Sequence, residues 1–313
     1  MRFDNSAQGL YRTEILRPDG TVRYDSGLHG NMITDNGLNE IGYSLGSFLS
    51  DCYVGTGTNP PTAGDTSLQN QVMRASSGNG VATNRKQVSA APYYSEQTCI
   101  WTFDAAAANV TLGEMGTAGN NQTNKILTRS LMKDTEGNPT TVTLLVGEVL
   151  RITHVLRLYF DMSEKTGSFK IGSETYNYTA RAIRMNDPSY WNMGDTWSYP
   201  EFIYAAAVPV DAKWANIGLL TQGLDKSEVS QQLYSTPNGR PTMKGTGVYS
   251  YTAPYTVNQA NYPLGLRYFY IVSSRSNYRS GPSYGVLLDK AIMKTDKFNL
   301  TVTMDISWKR YTP

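Results

Sequence analysis

Over residues 298–309 apolar and polar side chains alternate without a break. Phe298, Leu300, Val302, Met304, Ile306 and Trp308 fall on one side, and Asn299, Thr301, Thr303, Asp305, Ser307 and Lys309 on the other. A period of two predicts a strand with one buried and one wet face. Cys99, Trp101 and Phe103 alternate with Thr98 and Thr102 in the same way over 98–103. Residues 142–160 form the longest strand-like region of the first half, and Gly147-Glu148 interrupts it at a corner or bulge. Beyond that break Ile152, His154, Leu156, Leu158 and Phe160 share one face, with Arg151, Thr153 and Arg157 on the other beside Val155 and Tyr159. Shorter strands are predicted over 52–54, 109–116 (closed by glycines), 126–131 and 266–272, with a turn at 136–139.

Two hairpins are legible from turn chemistry. In residues 10–26, Pro18-Asp19-Gly20 separates two extended arms: proline presets φ and glycine accepts a positive one. Residues 169–171 and 176–183 form another over Gly172-Ser173. Helical periodicity is confined to residues 37–73. Asn36-Gly37 breaks the chain, and Leu38, Ile41, Leu45 and Leu49 then make the stripe of a short amphipathic helix. Asp65 or Thr66 is placed to cap a second short helical turn carrying Leu68 and Val72.

Three stretches lack a period. Residues 75–84 read as a loop, and residues 161–167 as a polar joint between modules. Residues 235–262, rich in Tyr, Pro, Gly, Asn and Thr, read as a mobile loop or an excursion ordered against a partner. The pattern predicts an all-β, mainly antiparallel protein. It is β-sandwich or jelly-roll-like, with an N-terminal hairpin and one or two short helices. The expected division is a hairpin arm over 1–36, a β-sandwich with a short N-terminal helix over 37–162, and a second β-rich part with long loops over 163–313. The last two are either separate or one interleaved domain.

Composition supports this class. The chain has 313 residues, enough to bury a core, and only 17% are charged, while tyrosines number 22. Aromatic residues suit pleated surfaces, and Gly, Asn and Pro make corners. Net charge is +2 with mixed signs and no basic run, so no nucleic-acid footprint is predicted. No apolar run is long enough for a membrane-spanning helix. The N-terminus lacks the apolar core of a secretory signal, so a soluble chain made in the cytosol is expected.

Candidate chemistry is sparse. The glycines of residues 55–64 suggest a phosphate loop, but neither a Walker ending nor a GxGxxG spacing is present and no lysine lies nearby. Cys52 and Cys99 read as reduced, buried small hydrophobes; with His29 and His154 they show no metal-ligand spacing. His154 lies in the apolar register of its strand and reads as a hydrogen-bonded core histidine. Asp161 with Glu164, or Asp187 with Asp195, are conceivable glycosidase pairs, although their types alone do not separate them from solvated loop acids. Tyr190, Trp191 and Trp197, with the tyrosines of 249–262, could bind sugar or pin loops to a core. Catalytic, cofactor-binding and metal residues are therefore assigned to none. A depolymerase would be expected on a repetitive β-solenoid, and no repeat is visible.

The order of several short motifs carries a resemblance. These are Asn31 to Leu38, Val54-Gly55-Thr56-Gly57-Thr58-Asn59-Pro60-Pro61 followed by Asp65-Thr66-Ser67-Leu68, and Trp101-Thr102-Phe103. Val110-Thr111-Leu112-Gly113-Glu114-Met115-Gly116, Leu127 to Asp134 and Glu148 to Thr153 follow. Over roughly residues 10–185 this series resembles structural proteins of tailed bacteriophages, of the tail, baseplate and fibre-associated kind. The resemblance implies a non-enzymatic virion component, made in the host cytoplasm and assembled with copies of itself and other phage structural proteins. Alternatives are a capsid decoration or collar protein, or a receptor-binding tail module with host surface glycan as partner. No nucleic acid partner, membrane insertion or cofactor is expected.

Overall fold

The computed structural model describes residues 1–41, 50–76, 83–87, 91–119, 125–183, 202–207, 231–234, 241–272 and 283–312. Its organising element is β1 (Arg2–Leu16), the central strand of a mixed sheet. On one side β1 pairs antiparallel with β13 (Val149–Phe160), from Asn5 opposite Phe160 to Leu16 opposite Val149. On the other its first half runs parallel to β22 (Leu300–Arg310), Arg2 opposite Asp305. Its second half meets β2 (Val22–Asp25) and β3 (His29–Gly30). Beyond β22 lie β19 (Val248–Tyr255) and β18 (Thr242–Gly245); beyond β13 lie β8 (Tyr94–Thr102) and β7 (Thr83–Gln87). This nine-stranded sheet I takes strands from residues 1–36, 37–162 and 163–313 alike.

Three smaller sheets complete the molecule. Sheet II orders β4 (Met32–Ile33), β11 (Ile126–Leu131), β10 (Glu114–Ala118), β5 (Asp51–Gly55) and β6 (Gln71–Ser76). Sheet III pairs β12 (Val142–Leu144) with β9 (Val110–Leu112). Sheet IV orders β14 (Lys165–Ile171), β15 (Glu174–Ile183), β21 (Ser283–Ile292), β20 (Leu266–Val272), β16 (Phe202–Ala207) and β17 (Gln231–Tyr234). The class is all-β and sandwich-like, with one short helix among the described residues.

Alternation along β1 explains the layering. Phe3, Asn5, Ala7, Tyr11, Thr13 and Ile15 point to one buried face. The first half of that face meets sheet IV, where Phe3 stacks on Tyr284 at 4.3 Å and the Tyr284 hydroxyl donates to Asn5 Oδ1 at 2.7 Å. The second half meets sheet II, with Tyr11 Oη 2.7 Å from Thr128 Oγ1. The opposite face is half-buried and carries cross-strand ion pairs whose glutamates are buried. Arg12 binds Asp25, Arg151 binds Glu14, and Arg157 binds Glu96.

Several expectations are corrected. The helix α1 (Asp35–Ile41) begins before Leu38 and contains Asn36-Gly37 instead of following a break there. Thr34 caps it by accepting from Gly37 N at 3.0 Å, and Gly37 sits where a Cβ would collide with the Leu127 carbonyl. Leu45 and Leu49 lie outside the described residues. The second helical turn is absent. Val72 belongs to edge strand β6, and Leu68 is buried with Tyr53, Ala118 and Ile126. Residues 109–116 split at Gly113 into β9 and β10 of different sheets. The polar joint at 161–167 already contains the start of β14. The unpatterned 235–262 region contains the β18–β19 hairpin, turning at Gly247 (φ 67°). There Tyr249, Tyr251, Ala253 and Tyr255 are buried on alternate positions; the period was present, but carried by tyrosine. Phe298 lies ahead of β22 and is exposed.

Candidate functional site: a buried arginine–glutamate lock under the Gly-rich loop

Residues 56–70, between β5 and β6, fold over the end of sheet II. Glu114 opens β10 opposite Gly55, and Arg129 lies on neighbouring β11. Glu114 is fully buried, and the Arg129 side chain is 5% exposed. Arg129 donates to Glu114 Oε2 from Nε at 3.0 Å and from Nη2 at 2.8 Å. The same carboxylate accepts from the backbone N–H of Gly57 (3.2 Å), Gln69 (3.1 Å) and Asn70 (2.8 Å). Arg129 also reaches Asp65 Oδ2 at 2.7 Å and the Asn59 carbonyl at 3.1 Å. Asp65 in turn accepts from Thr62 N and Thr62 Oγ1. Its expected capping role is thus replaced by a loop-closing one.

Burial alone would lower the Arg129 pKa, but its bonds to Asp65 and Glu114 outweigh this and raise it. Burial would likewise raise the Asp65 carboxyl; Thr62 and Arg129 hold it below the usual range. A buried ion pair is tolerable only when its remaining hydrogen-bonding capacity is satisfied, and here the loop backbone supplies the donors. The glycines allow the approach: a Cβ on Gly57 would overlap Glu114 Oε1 and Gln69, and one on Gly113 would overlap the Gly57 carbonyl.

This geometry explains why the loop is no phosphate cradle. Gly57 N is spent on Glu114, and Thr58 N and Asn59 N both donate to Gln69 Oε1 at 3.1 and 3.2 Å. An internal carboxylate and an internal amide take the donors that a phosphate would need. Outward, the loop presents Thr58, Asn59, Pro60, Thr62, Thr66 and Gln69 to solvent.

The other candidates disperse. Cys52 and Cys99 are buried free thiols; burial raises both, Cys99 to about 11, so neither is a ready nucleophile. His154 is fully buried, and desolvation pushes it down to about 3. The hydrogen bond expected for it is missing, since neither ring nitrogen has a protein partner. Burial raises the Asp161 carboxyl, but Ser163 and Lys165 more than offset this and hold it low, opposite to a proton-donating glycosidase acid. Asp187, Asp195, Tyr190, Trp191 and Trp197 lie outside the described residues. Tyr249, Tyr251 and Tyr255 are core side chains unavailable to sugar. Among the described residues no His, Cys, Asp and Glu group suits a metal ion, and no helix is long and apolar enough to cross a membrane.

Sequence reasoning did not single out the Glu114–Arg129 pair. The one hint in the sequence is a single charge in each of two short strands, Glu114 opening Glu114–Ala118 and Arg129 within Ile126–Leu131. No protein-family model matches the chain, and neither does any curated protein or solved structure.

Proposed function

We propose that this chain is a non-enzymatic structural component of a tailed-bacteriophage virion, in the tail, baseplate or fibre-attachment region, acting through subunit interfaces. The observation that carries the reading is the lock. Gly55 to Pro61, Asp65 to Leu68, Glu114 and Arg129, all within the motifs that resemble phage structural proteins, meet around one loop. Their polar groups are consumed internally, and the loop is left rigid with an uncharged polar exterior. A preorganised loop loses little further entropy on association, which suits an assembly contact. The partners are other copies of the chain and other phage structural proteins.

The test is cryo-electron microscopy of purified particles together with mass measurement of the isolated chain. The reading expects density for the chain in the tail region, with residues 56–70 against a neighbouring subunit. A stable monomer absent from purified particles would overturn it. Density on the capsid or collar would move the chain to a decoration or collar role.

A further inference from the structure

Strand β22 outruns its neighbour β1. Their parallel ladder starts with Arg2 opposite Asp305, so residues 300–304 pair with β19 on one side and, among the described residues, with no strand on the β1 side. Pro254 of β19 lies opposite Thr301 and has no N–H, which makes this a non-bonded pair of the antiparallel ladder. Thr301, and by alternation Thr303, therefore turn their N–H and C=O groups away from β19. The same alternation runs on along the strand. Asp305 N donates towards β1, to the Met1 carbonyl, and Trp308 N donates the other way, to the Gly247 carbonyl, both at 2.7 Å.

This open edge borders a cleft of about 380 Å³, within the range of binding clefts, roughly 300–1,000 Å³. Its other wall includes β14, the terminal strand of sheet IV, which pairs only with β15 among the described residues. Phe269, Leu288 and Met304 line the cleft as buried side chains, while Phe169, Ile171 and Val302 line it half-buried. Exposed Lys170 is the one charged side chain among the described lining residues. The acid nearest to it in the β14–β15 ladder, Glu174, is taken by Lys290.

We propose that this cleft is a strand slot, filled by an extended segment of a different polypeptide that continues the line of β1 along residues 300–304 of β22. Five residues of strand span roughly 16 Å. The guest backbone pairs with Thr301 and Thr303, its alternate apolar side chains turn onto Phe169, Val302 and Met304, and an acidic residue at its end meets Lys170. The open backbone row is what favours a peptide, since an apolar small molecule leaves those groups unpaired. A second copy is the poorer donor, because every strand among its described residues is already paired in a sheet. The assignment is independent of the virion reading: the chain's place in a particle does not alter the slot, and an unfilled slot does not alter that place.

The test titrates the full-length chain against the capped, fluorescently labelled peptide Asp-Val-Thr-Val-Thr-Val-Asp, read by anisotropy and hydrogen exchange. Saturable binding is expected, with the amide protons of Thr301 and Thr303 exchanging at least about tenfold more slowly in the complex. N-methylation of every second peptide residue, made in both registers, should weaken binding about tenfold in at least one of them, because it removes guest donors. Val302→Asp should abolish binding. Lys170→Glu, on an exposed side chain, should weaken it about threefold without altering the melting temperature, and a peptide with lysine at both ends should recover the loss. Lys170→Glu and the N-methylated peptides keep the test decisive if Val302→Asp unfolds. Absence of saturable binding, unchanged exchange at Thr301 and Thr303, or unaltered affinity in Lys170→Glu overturns the proposal. Self-association of the chain that the peptide competes away would give the slot to a second copy and overturn it as well.

Discussion

Arg129 grips the buried Glu114 carboxylate through two N–H groups, and three backbone N–H groups of the loop above close on the same carboxylate. Removing the guanidinium leaves a buried negative charge with only neutral donors. Arg129→Met should therefore destabilise the protein by about 3–5 kcal/mol. Replacing Glu114 as well removes the uncompensated charge, so Glu114→Gln with Arg129→Met should recover a substantial part of that loss. Chemical denaturation of both variants measures this. A single variant within about 1 kcal/mol of the parent would show that the lock does not hold the fold.

Gly57 offers a steric test of the same site. A Cβ there meets Glu114 and Gln69, whereas a Cβ on Gly64, at the loop's outer end, meets nothing within 4 Å. Gly57→Ala should cost about 1–3 kcal/mol, as overpacking does, and Gly64→Ala should be near neutral. Melting curves for the pair separate close packing from a general need for loop flexibility. Equal losses at both positions would contradict the account.

How far this architecture was legible follows from which residues carried the period. In β22 and β13 aliphatic residues and tryptophan mark the buried face, so alternation is visible directly. In β19 tyrosine marks it, and because tyrosine is at home on either face the stretch reads as loop. Asp65 next to Leu68 mimics a helix start, but Arg129, distant in sequence, captures that carboxylate. The parallel pairing of β1 with β22 depends on contacts between the two ends of the chain, which no local pattern encodes. The candidate site was hidden for a related reason: its two charges sit on separate strands, and only sheet register joins them.

His154 gives a prediction for pH. Burial pushes its folded pKa down to about 3, against about 6.5 for an unfolded histidine. Between those values the unfolded chain binds a proton that the native protein does not, so stability should fall as pH drops below about 6.5. The slope from this one group approaches about 1.4 kcal/mol per pH unit and flattens near pH 3. Glu40, raised by burial, acts in the opposite sense just above the ordinary carboxyl range. Comparison with His154→Leu isolates the histidine: the variant should lose this slope between pH 4.5 and 6. An identical pH profile in both proteins would refute it.

The last prediction concerns how the chain divides. Strands β18, β19 and β22 lie in the C-terminal part, yet β22 finds its other neighbour in β1, and β1 in turn rests on β13. Phe3 and Asn5 of β1 also fill the seam with sheet IV, through the stack on Tyr284 and its 2.7 Å hydrogen bond. A fragment of residues 163–313 would expose the inner edge of β22 and uncover the apolar face of Met304, Ile306 and Trp308. It should therefore be insoluble or lack dispersed amide resonances. Adding residues 1–162 as a separate polypeptide should restore dispersion if the two pieces complement each other. A fragment that folds alone, with native-like protection in β22 by hydrogen exchange, would show that sheet I is divisible at that strand.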